Sequence, residues 1–239
     1  MSESDTTVLM LPGLLCDADV WDPQITCLTG VRSVVPDYRT ADTITRMAHV
    51  ALASATGPVS VVGHSMGGRV ALEVARLAPG RVIRLALLDT GYQARPAGRA
   101  GEPEARERQR LVVIARRHGM RAMGCEWVRG MVHPDRLDDE ALVNRILAMI
   151  ERQKLESYLC QVNALLTRPD ATDVLKSIRC PTLIGCGRED AWSPLARHEE
   201  MTSLVRHATL TVFDDCGHMA TLERPAAVTQ SLRQWLRAP

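Results

Sequence analysis

Several features that would assign a function class are missing from this sequence. It has no run of 18 uncharged apolar residues, so no segment predicts a membrane-spanning helix. The net charge is only +1, which gives no electrostatic reason to expect nucleic acid or an anionic membrane as a partner. Neither G-x-G-x-x-G nor G-x-x-x-x-G-K occurs, so nucleotide binding has no support. We therefore expect a small-molecule substrate, no nucleic acid and no membrane.

The cysteines also lack a pattern. There are 7 of them, an odd number at wide spacings, and no C-x-x-C pair occurs. This favours free thiols in a reducing compartment over disulfides or a zinc site. Residues 1–5 are polar and acidic, and the apolar run at residues 6–11 is cut by Pro12 and Gly13, which is unlike a signal peptide. We expect a cytoplasmic protein.

Short apolar runs alternate with longer helical patterns along most of the chain. The runs are continuous, which is typical of strands buried on both faces of a sheet. This alternation predicts an α/β fold with a mainly parallel sheet and helices on both faces. The predicted strands are residues 8–11, 31–35, 59–62, 82–88, 182–186 and 208–213, and the predicted helices between them are residues 19–28, 43–53, 66–77, 195–205 and 226–236.

One long interval, residues 91–179, contains no strand candidate. Its first part, residues 91–102, is rich in Gly, Pro and Arg and is typical of a loop. Because long insertions in compact domains are usually structured or functional, we predict a helical lid. Residues 1–90 and 180–239 would then form the core domain and residues 91–179 the lid. The predicted lid helices are residues 103–117, 120–131, 139–151 and 152–166.

The most informative stretch is the G-x-S-x-G pattern formed by Gly63, Ser65 and Gly67. A predicted buried strand precedes it and a helical pattern follows it. A serine on such a sharp strand-to-helix turn projects its hydroxyl from the edge of the sheet, and small residues two positions away let strand and helix approach closely. We interpret Ser65 as a nucleophile and the adjacent His64 as structural support.

Four motifs together resemble the α/β-hydrolase superfamily, in its compact esterase, enol-lactonase and C–C hydrolase branch. The resemblance covers nearly the whole chain, and it implies a mostly parallel sheet of about six strands with a helical lid insertion. It also implies the chain order Ser, Asp, His for a catalytic triad. The motifs are residues 11–15 with Trp21, the elbow at Ser65, residues 187–190 with Pro194, and residues 217–219 with Glu223 and Pro225.

The resemblance implies that His218 is the general base and Asp190 the acid that orients it. Two carboxylates are rivals for the second role: Glu189, next to Asp190, and Asp89, which follows another predicted strand. The oxyanion hole would consist of the backbone N–H groups of Leu14 and Met66. Pro12 stands where histidine is common in the family, which removes a side-chain donor but leaves the backbone donor in place.

The implied reaction is acyl transfer to Ser65, followed by attack of a water molecule that His218 activates. No metal, nucleotide or other cofactor is needed for it. The lid would supply most of the substrate pocket, with Met219 beside His218. Arginines also cluster in the lid, and they either bind a substrate carboxylate or form a solvated helix face. The pocket candidates of the lid are Met123, Trp127, Met131 and Tyr158, and the arginines are Arg116, Arg117, Arg121 and Arg129.

The leading hypothesis is a serine hydrolase of the carboxylesterase or lactonase type, acting on a small or medium carboxylic ester or lactone. Alternatives with the same triad are a C–C bond hydrolase of a diketone-like acid and a cofactor-free haloperoxidase or perhydrolase. A ligand receptor on a hydrolase fold is a non-enzyme alternative, against which an intact triad argues. The sequence leaves the oligomeric state open between monomer and homodimer.

Overall fold

A single parallel sheet forms the centre of the molecule in the computed structural model, which describes residues 7–238. The strand order is β2-β1-β3-β4-β5-β6, and every neighbouring pair is parallel. The sequence predicted a mostly parallel sheet of about six strands, and the observed sheet has six strands that are all parallel. The strands are β1 Thr7–Leu11, β2 Arg32–Val34, β3 Val59–His64, β4 Val82–Leu88, β5 Thr182–Gly187 and β6 Ala208–Phe213.

Burial of the strands follows their position in the sheet. Every residue of β1, β3 and β5 is buried, because helices cover both faces of the inner strands. The edge strands β2 and β6 are only partly buried. Continuous apolar runs therefore mark the inner strands, as expected for a parallel sheet.

Ten α-helices connect and flank the strands within residues 7–238. Helices α1, α9 and α10 contact one another, and α2, α3, α7 and α8 form a second connected group, so that the two faces of the sheet are both covered. The helices are α1 Asp22–Cys27, α2 Ile44–Ala53, α3 Met66–Leu77, α4 Glu102–Val128, α5 Glu140–Glu151, α6 Leu155–Leu166, α7 Thr172–Ser177, α8 Leu195–Leu204, α9 Ala220–Glu223 and α10 Pro225–Arg237.

The interval between β4 and β5 is helical, and it contains α4 to α7. Helix α4 is interrupted at Gly119, whose φ of 86° and ψ of 170° are not helical. The sequence placed a break between two helices at this point, because glycine adopts positive φ without a steric penalty. Helix α7 was not predicted. The division into a core domain and a lid, with boundaries at residues 91 and 179, stays a prediction.

Ion pairs join helix α5 and its end to the loop after β1. Arg145 contacts Asp19 at 2.7 Å and Asp22 at 3.0 Å, and Arg152 contacts Asp17 at 3.0 Å. The loop carries Leu14, so these contacts link the helical interval to the predicted oxyanion loop. Within residues 7–238, none of the helices has the length and apolar character needed to cross a bilayer.

Candidate active site

Ser65 lies on the sharp turn between β3 and α3, with φ 56° and ψ −118°. Positive φ is uncommon for a residue with a side chain, and it persists only where the surroundings hold it. Here the N–H of Ser65 donates to the carbonyl of Leu88 at 2.9 Å, and the hydroxyl of Thr90 donates to the carbonyl of Ser65 at 2.6 Å. Leu88 ends β4 and Thr90 follows two residues later, so the neighbouring strand and the loop after it fix the turn.

The glycines on either side of Ser65 allow three backbone segments to meet. A Cβ atom on Gly63 would collide with the carbonyl group of Gly67. A Cβ atom on Gly67 would collide with the carbonyl group of Leu11 at the end of β1. Backbone atoms cannot move aside as a flexible side chain does, so both positions require glycine and the G-x-S-x-G pattern has a steric cause.

Two short hydrogen bonds join Ser65, His218 and Asp190. The Oγ of Ser65 lies 2.7 Å from Nε2 of His218, and Nδ1 of His218 lies 2.7 Å from Oδ2 of Asp190. A carboxylate only accepts hydrogen bonds, so Nδ1 carries the proton and Nε2 accepts the serine O–H. His218 and Asp190 are 2% and 3% exposed. This arrangement can move a proton from the serine to the imidazole while the carboxylate faces the resulting positive charge.

The geometry brings Asp190, and neither of its rivals, to the imidazole. Its Oδ1 accepts the backbone N–H groups of Trp192 and Ser193 at 2.9 and 2.7 Å, which leaves Oδ2 directed at His218. The carboxylate of Glu189 turns instead to a backbone N–H of the loop after β6, at 2.9 Å.

The other rival, Asp89, is buried behind these three side chains at the end of β4. Its Oδ1 accepts the N–H of Gly187 at 2.9 Å, and its Oδ2 lies 3.7 Å from Nε2 of His64. Burial, and next the negative charge of Asp190, raise the pKa of Asp89 well above its usual range. Both effects disfavour a second negative charge beside the imidazole, and Asp89 does not contact His218.

His64 supports the backbone of His218 and does not reach the serine hydroxyl. Its Nε2 lies 2.7 Å from the carbonyl oxygen of His218, and its ring meets Trp21 edge-on with the centroids 6.4 Å apart. Burial, and next the charge of His218, lower the pKa of His64 to about 4. His64 is therefore neutral at pH 7 and donates its Nε2–H to that carbonyl.

The loop that carries His218 is held by the buried carboxylate of Glu223. Oε2 of Glu223 accepts the N–H of Gly217 at 3.1 Å, and Oε1 accepts the N–H of Met219 at 3.1 Å, one on each side of His218. Oε2 also accepts the N–H of His133, at 2.8 Å, from the segment after α4. One carboxylate thus ties the histidine loop to the helical interval.

The predicted oxyanion donors, Leu14 and Met66, lie on either side of Ser65. A Cβ atom on Gly13 would be 3.2 Å from Cβ of Ser65, so the loop after β1 passes directly over the serine. Within residues 7–238, neither the N–H of Leu14 nor that of Met66 has an acceptor, and Met66 begins α3, where first-turn N–H groups have no partner in the helix. Both amides are available to an oxygen anion.

A side chain that the sequence analysis missed holds this oxyanion loop. Gln161 on α6 is buried, and its Oε1 accepts the N–H of Leu15 at 2.9 Å. Leu15 itself has a φ of 65°. The two residues are 146 positions apart, and no local pattern marks Gln161, so only the docking of α6 reveals this contact.

A cavity of about 510 Å³ opens beside Ser65. Trp127 and Met131, two of the predicted pocket residues, line it, and the carbonyl of Met131 accepts the N–H of His218 at 2.8 Å. Apolar side chains form part of the lining, which suits an acyl chain. They are Leu14, Met66, Trp127, Met131 and Leu165, and His218 also lines the cavity.

Three predicted pocket residues, Met123, Tyr158 and Met219, do not line this cavity, and that expectation needs correction. All three are almost completely buried in the hydrophobic core, with exposures of 0%, 1% and 0%. Helix α4 turns the face that carries Met123 toward α5, and Tyr158 lies on the inner side of α6. Periodicity identified buried faces here, but it could not tell a core contact from a cavity wall.

The predicted lid arginines lie away from the cavity, while four other arginines line it. Of the predicted cluster, Arg116 and Arg117 are exposed, Arg121 pairs with Glu151, and Arg129 pairs with a glutamate of its own helix, as on a solvated face. The arginines of the cavity come from separate parts of the chain, and no spacing pattern unites them. They are Arg69, Arg108, Arg168 and Arg197.

The comparisons with known proteins agree with this architecture. The profile of the alpha/beta hydrolase family matches residues 8–230. The chain belongs to this family, and the predicted fold class is confirmed. A solved structure of a thermophilic esterase from Thermogutta terrifontis, with malate bound, is 31% identical, with a TM-score of 0.83 over 97% of this chain and 89% of that one.

Two further relatives lie at lower identity. The enol-lactonase of Burkholderia xenovorans LB400 shares the fold, with a TM-score of 0.85 and 21% identity over 98% of this chain and 92% of that one. The (E)-2-((N-methylformamido)methylene)succinate hydrolase of Acinetobacter baylyi is 26% identical over 182 residues, which are 75% of this chain. This match spans 65% of that relative's length, slightly less than two thirds.

Proposed function

We propose that this protein is a serine hydrolase that cleaves a small or medium carboxylic ester or lactone through an acyl-serine intermediate. The observation that supports this most directly is the pair of 2.7 Å hydrogen bonds linking Ser65, His218 and Asp190. These side chains lie beside two unengaged backbone N–H groups and a cavity partly lined by apolar side chains. Each part needed for acyl transfer is thus within reach of one reacting carbonyl.

In the first half of the reaction, Oγ of Ser65 attacks the substrate's carbonyl carbon while Nε2 of His218 accepts the hydroxyl proton. The carbonyl oxygen becomes an anion, and the N–H groups of Leu14 and Met66 stabilise it. The carboxylate of Asp190 stabilises the imidazolium and keeps its orientation. His218 then gives the proton to the departing alkoxide, the carbon–oxygen bond breaks, and an acyl-serine remains.

In the second half, a water molecule takes the place of the alcohol. His218 accepts a proton from this water as its oxygen attacks the acyl carbon. The same two amides hold the second oxygen anion. Collapse of the intermediate breaks the bond to Oγ of Ser65, and His218 returns its proton to the serine, so the enzyme is restored and a carboxylic acid leaves.

A second candidate is the C–C bond hydrolase, and a relative favours it. The 2-hydroxy-6-oxononadienedioate/2-hydroxy-6-oxononatrienedioate hydrolase of a Pseudomonas species is 27% identical over 183 residues. Another relative, the pimeloyl-[acyl-carrier protein] methyl ester esterase of Aromatoleum aromaticum, is 29% identical over 187 residues and favours the ester reaction. For the compartment we propose the cytoplasm, because all seven cysteines are free.

The test is a rapid-mixing assay with p-nitrophenyl esters of short and medium acyl chains. We expect a burst of one p-nitrophenol per active site, because acylation releases the phenol before water attacks the acyl-serine. Ser65→Ala is the matched control and should give no burst. Product analysis distinguishes the candidates: an acid and an alcohol indicate an ester hydrolase. If no ester is cleaved while a diketone-like acid yields an acid and a ketone, the ester proposal is wrong.

A further inference from the structure

The cavity lining contains more arginines than carboxylates. Four guanidinium groups line it, together with two glutamates. The guanidinium groups come from α3, from α4, from the segment after α6 and from α8, so four separate parts of the chain converge there. The charged residues of this lining, apart from the buried Asp89, are Glu104, Glu107, Arg69, Arg108, Arg168 and Arg197.

Two of these arginines already have a carboxylate partner. Arg168 binds Glu104 through both terminal nitrogens, at 2.7 and 2.8 Å, and Arg108 lies 2.9 Å from the same carboxylate. Glu107 pairs with Arg110, outside the cavity lining, at 2.8 Å. Glu104 therefore binds two of the guanidinium groups of the cavity. Glu107 pairs with an arginine outside the cavity.

Arg69 and Arg197 have no such partner. Within residues 7–238, no carboxylate oxygen lies within 4.0 Å of either guanidinium. Arg69 donates to the carbonyl of Gln93 at 2.9 Å, and Arg197 lies 3.3 Å from the hydroxyl of Ser193, so their polar contacts are to neutral groups. Guanidinium groups that line a cavity and form no ion pair within 4.0 Å, among residues 7–238, are suited to an anionic ligand.

The two side chains converge on one point. A Cβ atom on Gly91 would lie 2.8 Å from a terminal nitrogen of Arg69 and 3.0 Å from Cδ of Arg197. Glycine at this position therefore leaves space for both side chains at the cavity wall. Burial, and next the positive charges of Arg168 and Arg197, lower the pKa of Arg69, whereas the negative charge of Glu104 raises it.

Arg69 and Arg197, the basic pair, line the same cavity as Ser65. Arg69 is the fourth residue after Ser65 and lies in the first turn of α3, which begins directly after the serine. Arg197 lies on α8. One cavity thus contains both the serine and the basic pair.

We propose that Arg69 and Arg197 bind a free carboxylate carried by the substrate, so that the preferred ester or lactone is an acidic one. This inference rests on the proposed hydrolase function and specifies its substrate class. Two guanidinium groups can supply parallel N–H donors to one carboxylate, and such charge-assisted bonds are stronger than those between neutral groups. The substrate carboxylate would also form the ion pair that neither arginine makes within residues 7–238.

The first test compares three kinds of ester. Mono-p-nitrophenyl glutarate carries the carboxylate in its acyl part, 4-acetoxybenzoate carries it in its leaving group, and p-nitrophenyl butyrate and phenyl acetate are their neutral counterparts. We expect kcat/KM for one acidic ester to exceed that for its neutral counterpart by about tenfold or more. Arg69→Gln and Arg197→Gln should each lower this ratio about tenfold, and Arg197→Lys should retain part of it.

Arg117→Gln is the matched control, because Arg117 is an exposed arginine of α4 away from the cavity. The ratio should not change in this variant. Thermal unfolding of each variant distinguishes a lost contact from a lost fold. Equal kcat/KM for acidic and neutral esters would overturn the inference, and so would a preference that survives both Arg69→Gln and Arg197→Gln in folded protein.

The second test is independent of turnover. Calorimetric titration of the Ser65→Ala protein with glutarate should show binding that Arg69→Gln or Arg197→Gln weakens about tenfold. If glutarate binds in this way but no ester is hydrolysed, the carboxylate site is supported and the hydrolase proposal is wrong. If neutral esters are hydrolysed and glutarate does not bind, the hydrolase proposal is supported and the carboxylate site is wrong. Inorganic phosphate binding more tightly than glutarate would overturn the carboxylate assignment.

Discussion

Asp89 and Asp190 follow neighbouring strands, yet their carboxyl groups have different partners. Asp190 accepts two backbone N–H groups and the N–H of His218. Asp89 accepts the N–H of Gly187, and its second oxygen has no hydrogen-bond partner within residues 7–238. Burial, and next the negative charge of Asp190, raise the pKa of Asp89, which disfavours a second negative charge at this place.

This difference predicts unequal effects of two matched substitutions. Asp190→Asn should lower kcat about 10³- to 10⁴-fold, because an amide nitrogen facing Nδ1 favours the imidazole tautomer that cannot accept the proton of Ser65. Asp89→Asn replaces a carboxyl group that does not contact His218 by an amide of the same shape, so kcat should fall by less than about tenfold. Steady-state assays on p-nitrophenyl esters measure both. A greater loss from Asp89→Asn would refute the assignment of the acid.

The buried His198 should make stability depend on pH. Its Nε2 accepts the N–H of Thr90 at 3.0 Å and its Nδ1 lies 3.2 Å from the carbonyl of Pro194, so the neutral ring satisfies both contacts. Burial lowers its pKa from 6.5 to about 4. As the pH falls below 6.5, His198 is protonated in the unfolded chain but stays neutral in the folded protein. The contribution of this residue to the unfolding free energy is therefore complete above pH 6.5 and is lost as the pH falls toward 4.

At pH 5 this loss amounts to about 2 kcal/mol of unfolding free energy. His198→Gln keeps an acceptor for the N–H of Thr90 and removes the titration, so its unfolding free energy should drop about 2 kcal/mol less than that of the wild type between pH 7 and pH 5. Urea denaturation at the two pH values measures it. The exposed His118→Gln is the control. An identical pH dependence in all three proteins would contradict the account.

At the scale of elements, the strands were predictable because burial on both faces leaves a continuous apolar run. The bounds of β4 and β6 and those of helix α3 agree with the predicted ones to the residue. Two short helices were not predicted. Helix α7 has six residues and α9 has four, so neither is long enough to show a helical period.

The elbow between β3 and α3 gives an element-scale prediction. Gly67→Ala should lower the unfolding free energy by about 1–3 kcal/mol or more, because its Cβ would collide with the backbone carbonyl of Leu11 on β1. Gly130→Ala is the matched control, since a Cβ there meets nothing within 4 Å. Chemical denaturation of both variants is the measurement. Equal stability of the two would mean that the strand and helix do not pack as closely as described.

At the scale of the whole molecule, the sequence allowed one part of the candidate site to be predicted and concealed another. Ser65, Asp190 and His218 each follow a recognisable strand, and the ends of parallel strands meet at one edge of the sheet, so their proximity was predictable. Arg69 and Arg197 were not singled out. They reach the cavity only through the way separate helices dock, and docking of distant elements leaves no local pattern.

The same reason explains the misplaced lid residues. Met123 and Tyr158 have the apolar, helical spacing of a buried face, and they are buried. Whether a buried face meets the core or a cavity depends on the volume left between elements. That volume is a property of the assembled chain, and Trp127 and Met131 border it although their local sequence context is no different.

The account depends most on the claim that Ser65 is an activated nucleophile whose proton passes to His218. The direct measurement is labelling with a fluorophosphonate, followed by intact-mass and peptide mass spectrometry. We predict one adduct per chain, located on Ser65, absent in Ser65→Ala and formed at least about 100-fold more slowly in His218→Asn. An adduct on another residue with Ser65 unmodified, or labelling of Ser65 at an unchanged rate in His218→Asn, would contradict it.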